Sequence, residues 1–169
     1  MAHSTRRDAL YAGVIGATCV ALWFLVLDLA TAQAFATPAA LGAALLGIFG
    51  PAGGEGMATN VIAYTVFHYL AFILVAWIAA LILHVAERQP AVLAGALMLF
   101  VAFEIGFIVL SSVLSRYAGF QSMQPWAVAV GNLIAAVAMG VYLWRSHPAL
   151  RSGLTAALSG RDDRDSVRA

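Results

Sequence analysis

Four apolar runs dominate the chain, and each is broken by one strongly polar side chain: Asp28, His68, Glu104 and Asn132. The first run extends from about Ala9 to Ala34 and the second from about Asn60 to Leu83. The third opens at Pro90 and ends near Leu114, and the fourth runs from Pro125 to Trp144. At about 1.5 Å of rise per residue, each run is long enough to cross about 30 Å of hydrocarbon. A backbone in lipid must satisfy its own hydrogen bonds, so the runs predict transmembrane helices. The expected fold is all-α: a polytopic membrane protein whose residues 1–148 form an antiparallel four-helix transmembrane bundle. The remaining residues, 149–169, form a polar tail of mixed charge that cannot build a core.

Between the first two runs, Thr37-Pro38 reads as a helix N-cap followed by a first-turn proline. The segment Ala39 to Phe49 is apolar until Gly50-Pro51 stops it. It is too short to cross a bilayer and predicts an extra outer-side helix over 38–49. Such a helix either lies on the bundle's outer rim or re-enters as a lid over a cavity.

Composition supports this class and fixes orientation. The 169 residues are 63% hydrophobic and 10% charged, with a mean hydropathy of +0.91; soluble domains carry roughly 25% charged residues. All basic side chains are Arg, with no Lys. Arg6, Arg7, Arg88, Arg145, Arg151, Arg161, Arg164 and Arg168 fall on one side of a four-crossing layout, and Arg116 alone on the other. The positive-inside rule then places both termini in the cytoplasm, across a bacterial-type inner (plasma) membrane. Trp126 and Trp144 mark opposite ends of the fourth span, as interfacial indoles do. A cleaved leader fits less well, because the first apolar stretch exceeds the roughly 7–15 residues of a signal core and Asp28 interrupts it. The lone Cys19 excludes an internal disulfide. With a net charge of +1 and no basic patch, nucleic acid is excluded as a partner. The expected partners are the lipid bilayer and other membrane subunits or further copies of the chain.

The polar residues share a level. His68 lies about 12 Å below the outer start of its span, Asn132 about 10 Å below Pro125, and Glu104 about 9 Å below the outer boundary of a roughly 30 Å core. Asp28 sits within about one turn of the outer rim. Helical phase puts Gly13, Ala17, Ala21, Asp28 and Ala32 on one small-residue face, and Asn132, Ala136 and Gly140 on another. His68 shares a face with Val61, Tyr64, Thr65, Phe72, Val75 and Ala79. Glu104 shares one with Leu97, Phe100, Phe107 and Ser111, while a separate stripe of Ala91, Gly95, Ala102 and Gly106 lies roughly opposite. Packing through that second stripe would turn Glu104 toward another subunit.

Ionisable groups inside a membrane are costly and mark functional sites by default. Glu104 with His68 is the expected pairing, with Asn132, Asp28 and Tyr64 completing an outer-leaflet polar cluster. The expectation is a non-enzymatic membrane protein whose cluster fixes helix packing and is suited to hold a proton, an ion or a small ligand, alone or as a subunit of a larger complex. The alternative is a metal- or quinone-dependent redox enzyme using Asp28, His68 and Glu104, since one imidazole with two carboxylates is a feasible metal set. No cofactor is expected otherwise. Haem is disfavoured because no two histidines share a depth on facing helices: His68 and His84 lie at opposite faces, and His3 and His147 are cytoplasmic.

Overall fold

A computed structural model of the chain describes residues 2–47, 56–86, 89, 91–114 and 124–148. Among these, all regular structure is helical: α1 (Ala2–Ala30), α2 (Ala36–Gly47), α3 (Met57–Ala86), α4 (Ala91–Leu114) and α5 (Pro125–Ser146). Three of them, α1 from Arg6, α3 and α5, are long and apolar enough to cross a membrane. Arg88, Pro90, Arg116 and the tail from Ala149 lie outside the described residues, as do the side chains of Phe107 and Ser111.

The centre of the molecule is α1, which packs most extensively on α3 and α5. Its small residues explain the choice. A Cβ at Gly13 would lie 2.6 Å from the Ile73 backbone, and Ala12 and Ala17 are completely buried. Small side chains let helix backbones approach, and in lipid such packing replaces the hydrophobic drive available in water. Contacts give the direction. Gly13 meets Ile73, Gly16 meets Phe72, Ala17 meets His68 and Thr18 meets Tyr69, so α1 and α3 are antiparallel. Tyr11 lies by Tyr142, Gly16 by Met139, and the Trp23 indole N–H donates to the Ala127 carbonyl at 2.8 Å, so α1 and α5 are antiparallel too. A core of Ala12, Ala76, Met139 and Leu143 closes the end of the molecule where α1 begins.

The helix ends differ from the sequence reading in instructive ways. The first helix includes the leader residues from Ala2 but stops at Ala30, short of Ala34. Its stop is a local hydrogen-bond motif: Gln33 N–H donates to the Asp28 carbonyl at 2.9 Å and Ala32 N–H to the Leu29 carbonyl at 3.0 Å. This six-to-one and five-to-two pairing requires a left-handed residue after the cap. Ala32 supplies it at φ 57°, where glycine is usual, and Phe35 is left-handed at φ 65°. The extra helix is present and begins at Ala36, two residues before the expected 38; its described part is Ala36–Gly47, and 48–49 lie outside the described residues. Thr37 therefore lies inside its first turn and is not its N-cap. Helix α2 packs along α3, where Gly42 is buried against the backbone of Asn60. A Cβ at position 42 would collide with the Asn60 carbonyl oxygen.

Helix α4 makes smaller contacts, with α3 and α5. Of its small-residue stripe, Gly95 faces open space and Ala102 is exposed, while the surroundings of Ala91 and Gly106 lie outside what is described. On α5 the packed face is Ala127, Gly131, Ala135, Met139 and Leu143, one position over from the predicted Asn132, Ala136 and Gly140 stripe. Gly140 has open space around it.

Candidate functional site

His68 is buried at the middle of α3 and is held from two sides. Its Nε2 lies 3.1 Å from the carbonyl oxygen of Ala17 on α1. A carbonyl only accepts, so Nε2 carries the proton and donates. The other ring nitrogen, Nδ1, lies 3.4 Å from the Tyr64 hydroxyl one turn earlier on the same helix. The imidazole stacks on Tyr64 at 5.4 Å between centroids and packs against Phe72 at 4.8 Å and Tyr69 at 6.1 Å. Next to this contact, the Thr18 and Tyr69 hydroxyls are hydrogen bonded at 2.9 Å. This is a second polar rung between α1 and α3.

Asp28 occupies the last turn of α1, and its carboxylate is directed at the start of α2. Thr37 N–H donates to Oδ2 at 2.9 Å and the Thr37 hydroxyl donates to Oδ1 at 2.6 Å. Both carboxylate oxygens are thus acceptors. A helix's first N–H groups lack partners within the helix, and the positive end of its dipole favours an anion there. Asp28 meets both needs from the preceding helix. The Thr31 hydroxyl also donates to the Asp28 main-chain carbonyl at 2.9 Å, so this residue organises both sides of the α1–α2 turn.

These two groups border one cavity of about 220 Å³ between α1, α2 and α3. Thr18, Asp28, Thr37, Tyr64, Thr65, His68 and Tyr69 provide its polar lining. Phe24, Leu25, Phe35, Pro38 and Val61 provide apolar wall. The left-handed turn carries Phe35 to the cavity, and the docked first turn of α2 contributes Thr37 and Pro38.

Glu104 and Asn132 are elsewhere. The Asn132 side-chain amide donates to Glu104 Oε1 at 3.0 Å, joining α4 to α5. The equal depths counted from sequence correctly anticipate this meeting, and Glu104 turns toward its own bundle. The expected Glu104–His68 pair does not form, because both ring nitrogens of His68 have other partners. Neither Glu104 nor Asn132 lines the cavity. The four-residue layer is therefore two sites: Asp28, Tyr64 and His68 at one cavity, and Glu104 with Asn132 between two other helices. The metal set of Asp28, His68 and Glu104 is divided by the same split. Among the described residues, no three His, Cys, Asp or Glu side chains are grouped to hold a metal.

Sequence reasoning missed Thr18, Thr37 and Tyr69 as site residues. Thr37 carried a usable signal, since a Thr-Pro helix start nine residues after a span-terminal acid invites a carboxylate cap. Thr18 and Tyr69 each follow a residue of the Ala17–His68 contact, a pairing visible only once the register is known. Compared with known proteins, the chain matches no family, no curated protein and no solved structure. Its function is read from this geometry.

Proposed function

We propose that the chain is a small multi-pass protein of a bacterial-type inner membrane that binds a compact amphipathic ligand in the α1–α2–α3 cavity and performs no chemistry on it. Three lines support the membrane part of the reading. Three helices have the length and apolarity to cross. Large apolar side chains such as Leu22, Val26, Ile62, Leu70, Leu133 and Val137 are more than half exposed, a surface that suits lipid and would aggregate in water. The Arg distribution favours four crossings, with α4 as the third, and cytoplasmic termini.

The observation that carries the binding reading is the cavity itself. Its apolar wall with a few convergent polar groups is the usual make-up of a small-molecule site. At about 220 Å³ it lies below the roughly 300–1,000 Å³ of drug-sized pockets, so its occupant is small. Glu104 and Asn132, bonded to each other and away from the cavity, serve as a helix clamp.

The test uses the full chain in lipid nanodiscs with 4-(trifluoromethyl)benzyl alcohol as a neutral probe, followed by fluorine NMR. Ala21 lines the cavity, so Ala21→Phe fills it. A saturable bound resonance in the wild type, absent from an Ala21→Phe variant that melts at the same temperature, is expected. Identical spectra for the two proteins would remove the reading.

A further inference from the structure

Among the described residues Asp28 is the only acid lining the cavity, and its two side-chain hydrogen bonds come from a single residue, Thr37. A carboxylate offers about four lone-pair positions, so those bonds leave acceptor capacity unused. A charge removed from water is expensive unless it is paired. Among the described residues no Arg lines the cavity, and the chain has no Lys. Among the described lining residues the one titratable nitrogen base is His68, and its protonated Nε2 is committed to the Ala17 carbonyl. Four aromatic rings, those of Phe24, Phe35, Tyr64 and Tyr69, line the same cavity. Ring faces attract cations, and aromatic walls are a recurrent means of holding quaternary ammonium groups.

We infer that the occupant of this cavity is a compact organic cation, its ammonium group seated near Asp28 and its remainder held against the cavity's aromatic walls. The inference rests on the cavity being a binding site, as proposed above, and adds the ligand's class. An anion would meet the Asp28 charge without a compensating base. A neutral molecule would use the walls and leave the carboxylate as it is. A divalent metal ion would require more acidic or imidazole donors than the described residues group together.

The experiment compares benzyltrimethylammonium, which is permanently charged, with neopentylbenzene, its uncharged isostere, for binding to the full chain in nanodiscs. The wild type should bind the cation saturably and at least tenfold more tightly than the isostere. Asp28→Asn keeps an oxygen that can accept from Thr37, and should weaken cation binding about tenfold with little change in melting temperature. Tyr64→Leu should weaken it about threefold. Equal affinity for cation and isostere in the wild type would overturn the inference, whatever the variants do. So would undiminished cation binding by a folded Asp28→Asn protein. If the neutral alcohol probe still binds in an Ala21-dependent manner while the cation shows no preference, the cavity remains a binding site and only the ligand class is wrong. If neither probe binds, both readings fall together.

Discussion

In the corner formed by α1, α2 and α3, an acid caps a helix and borders empty space; in the corner formed by α4 and α5, an acid faces one carboxamide. Asp28 takes an N–H and an O–H from Thr37 and lies beside a cavity. Glu104 takes one amide hydrogen from Asn132. The first arrangement depends on a folded turn, two left-handed residues and a docked short helix. The second needs only two helices at matched depth. A polar residue inside a span therefore has no single meaning: what surrounds it decides between clamp and site.

The sharpest way to break the contrast is to remove α2 from the first corner. Gly42→Leu places side-chain atoms where the Asn60 carbonyl stands, and backbone cannot give way as a flexible side chain can. Overpacking of this kind costs about 1–3 kcal/mol and more where nothing relaxes. Hydrogen exchange should rise over α2 and the cavity walls, while the Glu104–Asn132 region keeps its protection; uniform loss of protection would show that the two corners are not independent.

A smaller effect is expected from Asp28→Ala, which strips the first turn of α2 of its acceptor. Losing a helix cap costs about 0.5–2 kcal/mol. The melting temperature should fall with Asp28→Ala and be largely restored with Asn at that position. Equal loss with Ala and Asn would mean that charge, and not acceptor geometry, holds the turn.

The smallest effect belongs to the other corner. A double-mutant cycle on Glu104→Leu and Asn132→Leu should give a coupling of about 0.6 kcal/mol, the usual scale for hydrogen bonds between membrane helices. Neither single change should alter binding of the neutral probe. A change in that binding would tie the α4–α5 pair to the cavity after all.

Most of the helical layout was legible in the chain because long apolar helices announce themselves by length and composition. The positions of α3, α4 and α5 and the presence of a short helix after Thr37 follow from that signal. Rotation about each helix axis was harder to read. On α5 the packed face is offset by one residue from the Asn132 stripe, since small residues there occur on adjacent faces. On α3, the predicted face holds at His68, Tyr64 and Phe72 but passes to Ala76 and Ala80 toward the C-terminal end of the helix, leaving Val75 exposed. The Glu104–Asn132 meeting could be anticipated by counting depth. The Glu104–His68 pairing could not be rejected that way, because equal depth does not say which neighbour a helix turns toward. The end of α1 was misplaced because Ala32 adopts a conformation that its side chain does not advertise.

The spacing between Ala17 and Asp28 makes α1 a ruler. The two residues stand about three turns apart on nearly the same side, about 16 Å along the axis. One fixes the imidazole through its main chain and the other fixes α2 through its side chain. The length of the chamber is thereby set by the pitch of one uninterrupted helix, and its dimensions hold only while that stretch keeps every residue in step.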